Sequence, residues 1–370
     1  MSNLAESSAL SLTSPQLPVS WYFDPAIHAL ELEHLFKQGH GYVGHRLMTP
    51  EPGDYHALEL FDGGRMLVNN GSDIELLSNV CRHRQAIMLK GRGKLPADNI
   101  VCPIHRWTYD RQGRLLGAPE FAGNPCLNLN RTGLQTWQGL LFSGIRDVHA
   151  DLAGMQAARE LDFSGFMLDR VVVEHYDCNW KTFIEVYLED YHVAPYHPGL
   201  GHFVTCDDLK WEYGDWWSVQ TVGVNRGLAR AGSPVYQKWH EQVMAYNRGE
   251  APKHGSIWLT YYPGLMVEWY PHVLVVSSIE PVGVESCRNI VEFYYPEDIA
   301  LFERAYVEAE QAAYHETAEE DRDICMRMHE GRRALYKQGV SETGPYQSPL
   351  EDGMMHFHAF LRREIEPHIK

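Results

Sequence analysis

Two short cysteine–histidine pairs constrain this chain more than any other sequence feature. Cys81 and His83 are separated by one residue and Cys102 and His105 by two, with eighteen residues between the pairs. Each pair can place two metal ligands on one tight loop. The chain has seven cysteines, an odd number that argues against a disulfide framework and favours metal chemistry. The sequence therefore predicts a metal centre held between two loops.

The distribution of sulfur and nitrogen donors between the loops indicates the kind of centre. Two thiolates can bind one iron of a [2Fe–2S] cluster while two imidazoles bind the other, and the neutral nitrogen donors raise the reduction potential. A structural zinc ion is the alternative, because two cysteines and two histidines also suit tetrahedral zinc. Zinc fingers commonly pair their cysteines on one loop and their histidines on the other. Here each loop carries one of each, which favours the cluster.

A second pair of candidate ligands, His192 and His197, lies in residues 179–200. On a continuous helix their side chains would point about 140° apart, so they could reach one metal only if the helix breaks between them. Pro195 provides such a break, since proline disfavours the helical conformation of the residue before it. We therefore expect His192 on the last turn of a helix and His197 on the following loop.

Helix geometry also predicts which of the acids before His192 lie on the same face of the helix. Glu185 and Glu189 fall on its face of the helix, whereas Asp190 points about 200° away from it. Glu189, and not Asp190, is therefore predicted to belong to the site.

The third ligand is predicted on a long helix spanning residues 297–337. Asp321 is a carboxylate on an otherwise mostly apolar stripe of that helix, and burying it without a partner costs several kcal/mol. A metal ion would neutralise it, although Glu320 and Asp323 remain alternatives. Two imidazoles and one carboxylate form the facial triad of non-heme Fe(II) oxygenases, which leaves coordination positions open.

The hydrophobic pattern predicts an α+β protein. Residues 24–38 follow a helical pattern, and short β-type runs separated by turn signals between 55 and 142 predict an all-β region. Strand-like runs rich in aromatic residues lie between 215 and 295 and precede the helix 297–337. This order predicts an antiparallel sheet with a long helix against it.

The charge balance excludes two classes of function. The chain of 370 residues carries 32 Lys and Arg against 49 Asp and Glu, a net charge of −17 with neutral histidines. Such a surface repels nucleic-acid phosphates and anionic lipids. No apolar run reaches the roughly 18–20 residues of a membrane span, and the start of the sequence lacks the pattern of an export signal. We expect a cytoplasmic protein that binds neither nucleic acid nor membrane.

Both groups of candidate ligands resemble those of the Rieske non-heme iron oxygenases, specifically the terminal oxygenase (alpha) subunit of the aromatic-ring-hydroxylating dioxygenase family. The resemblance extends from about residue 35 to 365. One departure is Arg106, where the family usually has Gly after the second histidine; it changes the charge beside the cluster without removing a ligand. The matching residues are Cys81, His83, Cys102, His105, Trp107, Asn179, Trp180, Lys181, Tyr191, His192, His197 and Asp321.

The resemblance implies a domain order and two cofactors. Residues 1–40 would form an N-terminal tail and helix on the catalytic domain, 41–150 an all-β Rieske domain, and 151–370 a helix-grip catalytic domain. The implied cofactors are a [2Fe–2S] Rieske cluster and mononuclear Fe(II). The implied cluster ligands are Cys81 and Cys102 on one iron and His83 and His105 on the other, and the implied Fe(II) ligands are His192, His197 and Asp321.

The resemblance also implies the partners. The family assembles head to tail as a homo-oligomeric ring, usually a trimer, and Glu189 would link the mononuclear iron of one subunit to a cluster histidine of its neighbour. Electrons would come from a separate NAD(P)H-dependent reductase or a ferredoxin, since the chain has no Gly-rich dinucleotide-binding motif. O₂ and a small organic molecule would be the substrates.

Three functions stay open at this point. The first is hydroxylation of an aromatic substrate, and the second is a monooxygenase cleaving a C–N or C–O bond in a methylated or quaternary amine or an ether, held by cation–π contacts. The third is a non-enzymatic electron carrier or zinc-stabilised module, against which the second metal site argues. Aromatic residues that could line a pocket, although sheet core suits most of them, are Trp211, Tyr213, Trp216, Trp217, Trp258, Tyr261, Tyr262, Trp269 and Tyr270.

Overall fold

The computed structural model describes residues 16–369, so most of the expected N-terminal tail lies outside the described residues. The predicted first helix is confirmed: Asp24 caps it by accepting the N–H of Ala26 at 2.8 Å, and a π-helical turn extends it to Phe36. None of the helices within this range is long and apolar enough to span a bilayer. The helices are α1 (Pro25–Glu31), α2 (Val148–Asp151), α3 (Trp180–Tyr187), α4 (Val193–Tyr196), α5 (Leu200–Phe203), α6 (Pro234–Tyr246), α7 (Glu297–Phe302), α8 (Arg304–Gln338) and α9 (Asp352–Ile365).

Eleven short strands form the predicted all-β region, in three sheets with the orders β5-β2-β3-β4-β9, β6-β7-β8 and β1-β11-β10. The third sheet faces the rest of the protein, and its Tyr42 and Phe142 share an apolar cluster with Tyr261. The strands are β1 (Tyr42–His45), β2 (Asp54–Ala57), β3 (Arg65–Asn69), β4 (Ile74–Ser78), β5 (Arg92–Lys94), β6 (Ile100–Val101), β7 (Thr108–Tyr109), β8 (Leu115–Gly117), β9 (Arg131–Thr132), β10 (Gln135–Trp137) and β11 (Leu140–Phe142).

The C-terminal half contains a seven-stranded antiparallel sheet in the order β12-β18-β17-β16-β15-β14-β13. Helix α8 lies against this sheet, where its Tyr314 hydroxyl is 3.3 Å from the Ser277 hydroxyl of β17. The expected α+β architecture, an antiparallel sheet with a long helix against it, is therefore confirmed. The strands are β12 (Phe166–Tyr176), β13 (Val204–Gly214), β14 (Trp217–Val224), β15 (Ser256–Tyr261), β16 (Leu265–Tyr270), β17 (Val273–Gly283) and β18 (Ser286–Pro296).

The Asn-Trp-Lys motif fixes the start of α3 and joins it to α1. Asn179 caps α3 by accepting the N–H of Lys181 at 3.0 Å. The next two side chains both reach Glu31 of α1, the Trp180 indole at 2.8 Å and the Lys181 ammonium at 2.6 Å. Since Lys181 and Glu31 are fully buried, losing either would leave an uncompensated charge in the core.

The predicted course of the chain after α3 is wrong in one respect. The helix ends at Tyr187, well before Pro195, because the C-terminal segment bonds its next backbone groups: the Leu188 carbonyl accepts from Met354 at 2.9 Å, and the Asp190 N–H donates to Leu350 at 2.8 Å. Pro195 lies inside the short helix α4, within the first turn, where proline costs no intrahelical hydrogen bond. His192 is the N-cap of α4 and His197 its C-cap, so the end of α3 precedes both histidines and the expected helix break between them is wrong.

Candidate metal centres

The two cysteine-bearing loops have the same backbone conformation. In each, the cysteine N–H donates to the carbonyl five residues later at 2.8 Å, and its carbonyl accepts the N–H four residues later. Those fourth residues, Gln85 and Arg106, both adopt left-handed conformations, with φ of 54° and 61°. The position of Arg106 therefore favours glycine, which avoids the steric cost of that conformation. Cys81 and Cys102 are each 2% exposed, so the thiols lie on the buried side of the loops.

The two histidines of these loops lie nearer the surface than the cysteines. His105 is exposed and His83 is half-buried, and their ring centroids are 4.6 Å apart. Trp107 stacks on His83 with centroids 5.1 Å apart and an interplanar angle of 5°. Buried thiols opposite adjacent imidazoles suit a cluster with sulfur ligands on one side and nitrogen ligands on the other.

Three predicted ligands of the second centre converge on one point. One ligand atom each from His192, His197 and Asp321 lies within 4.8 Å of the other two. The nearest carboxylate oxygen of Asp321 is 3.5 Å from Nε2 of His192 and 3.0 Å from Nε2 of His197. Burial opposes protonation of His192, but Asp321 and Glu189 raise its pKa to about 10. The arrangement thus attracts positive charge and suits a divalent metal ion with two nitrogen ligands and one oxygen ligand.

Each histidine of this group is oriented by a second carboxylate. Nδ1 of His192 donates to Glu189, and Nδ1 of His197 donates to Glu320 at 2.7 Å. Both Nε2 atoms consequently face Asp321. Carboxylate partners of this kind fix the tautomer of a metal-binding histidine and increase its basicity.

The other acids considered from the sequence lie in different places. Asp323 is exposed and pairs with Arg327 at 2.6 Å. Glu185 is buried away from the metal-binding group, where it accepts from His358 at 2.9 Å and pairs with Arg332 at 2.6 Å. The expected shared face of Glu185, Glu189 and His192 is therefore wrong, because the helix that would have aligned them ends at Tyr187.

A small cavity of about 70 Å³ lies beside the three converging side chains. Asp190 lines it, contrary to the expectation from helix geometry, and its Oδ2 atom is buried without a hydrogen-bond partner within residues 16–369. Of the nine aromatic residues proposed for a pocket, Trp258 and Tyr270 line this cavity. The other aromatic lining residues are Tyr187, Phe203, Tyr236, Trp239 and Tyr314.

Two acids that the sequence did not single out also line the cavity. Glu268 of β16 is 1% exposed and Glu310 of α8 is 3% exposed. Burial raises the pKa of Glu268 to about 7 and that of Glu310 to about 8. Glu310 continues toward the helix start the stripe that contains Tyr314 and Asp321, which is the sequence signal that could have identified it.

Comparison with known proteins assigns the family. The family described as "Rieske [2Fe-2S] domain" matches residues 42–136, and the family described as "Ring hydroxylating alpha subunit (catalytic domain)" matches residues 155–366. The chain belongs to the Rieske oxygenase alpha subunits, which carry a [2Fe–2S] cluster and a non-heme iron, and it is an oxidoreductase. A non-enzymatic carrier or zinc module is thereby excluded.

Two individual relatives and one solved structure are similar to this chain over most of its length. The chain is 62% identical over 366 residues to a putrescine 2-hydroxylase of Ralstonia nicotianae, covering 99% of this chain and 100% of the relative. It is 55% identical to a putrescine 2-hydroxylase of Bordetella bronchiseptica, covering 94% of this chain and 84% of the relative. These names give no support to the expected aromatic substrate. The fold is similar to that of the quaternary ammonium Rieske monooxygenase CntA, with a TM-score of 0.75, 18% identity and 96% of each chain covered.

Proposed function

We propose that this protein is the terminal oxygenase of a multicomponent system that hydroxylates the diamine putrescine at C2. The observation that carries the proposal is the cavity beside His192, His197 and Asp321, which is lined by buried acids and aromatic rings. A dication such as putrescine complements this lining, because carboxylates and aromatic faces both attract ammonium groups. The names of the two putrescine 2-hydroxylases reported above support the same substrate.

The proposal assigns the metal ligands as the sequence predicted them. The paired loops would hold the [2Fe–2S] cluster, which would supply electrons, and the second centre would hold the iron, whose chemistry is the activation of O₂. Hydroxylation balances as R–H + O₂ + 2 e⁻ + 2 H⁺ → R–OH + H₂O. The proposed cluster ligands are Cys81, Cys102, His83 and His105, and the proposed ligands of the mononuclear iron are His192, His197 and Asp321.

The chain's own residues have three tasks in this reaction. Glu189 and Glu320 orient the two imidazoles of the iron site. The aromatic lining of the cavity excludes water and limits the orientations of the substrate. His105 is exposed, so this side of the paired loops is accessible to another protein.

The oligomeric state and the electron donor are also part of the proposal. A homotrimeric ring would bring the cluster of one subunit beside Glu189 of the next, and a separate reductase or ferredoxin would reduce the cluster. The division at residues 41–150 and 151–370, and a cytoplasmic location, stay predictions from the sequence.

A second candidate function is oxidation of a methylated or quaternary amine with cleavage of a C–N bond. The aromatic side chains of the cavity favour it, since cation–π contacts suit an ammonium that cannot donate hydrogen bonds. The buried acids favour putrescine, because its two –NH₃⁺ groups can donate hydrogen bonds to carboxylates.

A single-turnover experiment separates the candidates without knowing the reductase. The iron-loaded protein is reduced chemically, mixed with isotopically labelled O₂ and one substrate, and the products are identified by mass spectrometry. We expect 2-hydroxyputrescine carrying one labelled oxygen from putrescine. Conversion of choline or an aromatic acid, with putrescine left intact, would overturn the proposed function.

A further inference from the structure

Glu268 is held rigidly at the wall of the catalytic cavity by neutral groups. Its Oε2 accepts the Tyr270 hydroxyl at 2.8 Å, and its Oε1 accepts the hydroxyls of Tyr314 at 3.2 Å and Ser277 at 3.4 Å. Tyr270 is itself positioned by the indole N–H of Trp258 at 2.9 Å. The carboxylate thus has a fixed orientation before any ligand enters.

The described residues provide no ion pair to either acid of this wall, although the positive charge of Arg170 lies near enough to Glu310 to oppose the rise of its pKa. Within residues 16–369, no Lys, Arg or His forms an ion pair with Glu268 or Glu310. The hydrogen-bond donor to Glu310 is the neutral hydroxyl of Tyr295. A buried carboxylate without a cation is costly, and the cost is relieved by protonation or by a bound cation. Because both acids line a cavity, a cationic ligand can reach them.

Helix α8 sets the distance between these acids and the iron-binding group. Tyr314, which contacts Glu268, lies seven residues before Asp321, about 10 Å along the helix axis, and Glu310 lies roughly one turn further. Putrescine contains five single bonds between its nitrogens and spans roughly 6 Å when extended. The separation therefore accommodates a ligand that places one carbon near the metal ligands and one ammonium at Glu268.

From this geometry we infer that Glu268 binds the ammonium of putrescine that is farther from the oxidised carbon, with Glu310 supplying a second negative charge behind it. This inference rests on the proposed function and specifies how its substrate is oriented. Burial raises the pKa of both carboxyls, and a bound ammonium would favour their ionised forms. Glu268 is then the residue that decides which carbon faces the iron.

The inference predicts the position of hydroxylation in other amines. C2 of putrescine is the third carbon counted from the farther ammonium. If that ammonium is anchored at Glu268, 1-aminobutane should be hydroxylated at C3 and 1,5-diaminopentane at C3. Hydroxylation of both at C2 would mean that the nearer ammonium is the anchor, and would overturn the inference while leaving the proposed function intact.

Variants of the two acids test the same site by binding. We expect Glu268→Gln to raise the KM for putrescine at least about 30-fold with a smaller change in kcat, because the lost contact is remote from the reacting carbon. Glu310→Gln should raise it about three- to tenfold. In Glu268→Gln the single amide oxygen accepts one of the two tyrosine hydroxyls and the amide NH₂ donates to the other, so the side chain keeps its neighbours. The cluster absorption and Tm verify that each variant is folded.

Glu292 provides a matched control. It is 3% exposed, accepts the hydroxyls of Tyr42 at 2.8 Å and Tyr294 at 2.6 Å, and lies outside the lining of the cavity. Glu292→Gln should therefore leave the KM for putrescine within about twofold of the wild type. If the wild type hydroxylates putrescine but Glu268→Gln leaves KM unchanged, the ammonium site at Glu268 is contradicted and the proposed function is not. If the wild type does not hydroxylate putrescine, the proposed function itself is contradicted.

Discussion

The two histidine pairs of this chain lie in opposite environments. His83 and His105 lie near the surface of the Rieske domain, and within residues 16–369 neither forms an ion pair with a carboxylate. His197 is buried and His192 is half-buried, and each contacts both Asp321 and one further glutamate. The exposed His105 makes the first pair accessible to another protein, whereas the second pair faces a cavity lined by aromatic side chains. A centre that exchanges electrons needs access, and a centre that activates O₂ needs carboxylate charge and exclusion of water.

Removing the shared carboxylate should have the largest effect on this contrast. Asp321→Ala should lose the mononuclear iron, lowering the content from about three to about two irons per chain, and abolish product formation while the cluster spectrum persists. Iron analysis and single-turnover product measurement check it. Asp323→Ala, two residues away on the exposed side of the helix, is the control and should keep three irons per chain and full product formation. If it behaves like Asp321→Ala instead, the assigned ligand is wrong.

Changing His83 should affect the cluster and leave the mononuclear iron site intact. His83→Cys replaces a neutral donor with a thiolate, so the reduction potential should fall by a few hundred millivolts and the absorption spectrum should shift. Electrochemistry on protein that retains three irons per chain measures this. An unchanged potential in such protein would show that His83 is not a cluster ligand.

The carboxylate of Glu320, which bonds Nδ1 of His197, tests how much the orientation of this imidazole contributes to iron binding. Glu320→Gln should weaken iron binding about 10- to 100-fold, because it removes the partner that fixes the tautomer of His197. The measurement is retention of iron during titration with a chelator. Glu319→Gln, an exposed neighbour paired with Arg322, should leave iron binding unchanged.

Glu189 differs from Glu320 because the proposal gives it a second role between subunits. With iron supplied in excess, Glu189→Gln should retain both metal centres and the oligomer, while oxidation of the reduced cluster by O₂ with substrate present slows about tenfold, a barrier change near 1.4 kcal/mol. Stopped-flow absorption follows the cluster directly. Loss of mononuclear iron even in excess iron would support direct binding of the iron by Glu189, and an unchanged rate would rule out electron transfer through it.

The smallest expected effect concerns the backbone of the cluster loops. Arg106→Gly and Gln85→Gly should each raise the free energy of unfolding by about 0.5–1 kcal/mol, because both positions are left-handed. Thermal unfolding should show a Tm increase of about 1–3 °C. Arg84→Gly is the control: φ of Arg84 is not positive, so glycine there should lower Tm.

The sequence by itself indicated the two cysteine-bearing loops and the three side chains that converge at the second centre. The four proposed cluster ligands fall within 25 residues, so spacing alone indicates that they form one centre. Asp321 was singled out because a carboxylate on an apolar helical stripe needs a partner, and the structure places it beside both histidines. The sequence was sufficient here because these inferences depend on local geometry or on the cost of burying a single charge.

Tertiary structure alone decided the shape and charge of the cavity. Glu189, and not Asp190, contacts His192 as predicted, but Asp190 lines the cavity, which helix geometry did not predict. The C-terminal segment bonds the backbone at Leu188 and Asp190, and this ends α3 where the local sequence would continue it. The local sequence does not distinguish Glu268 from a solvent-exposed acid on a strand. Its burial comes from contacts with Ser277 of β17 and Tyr314 of α8. Local sequence records which side chains share one face of an element, but not which elements pack around that face. That packing decided which side chains line the cavity.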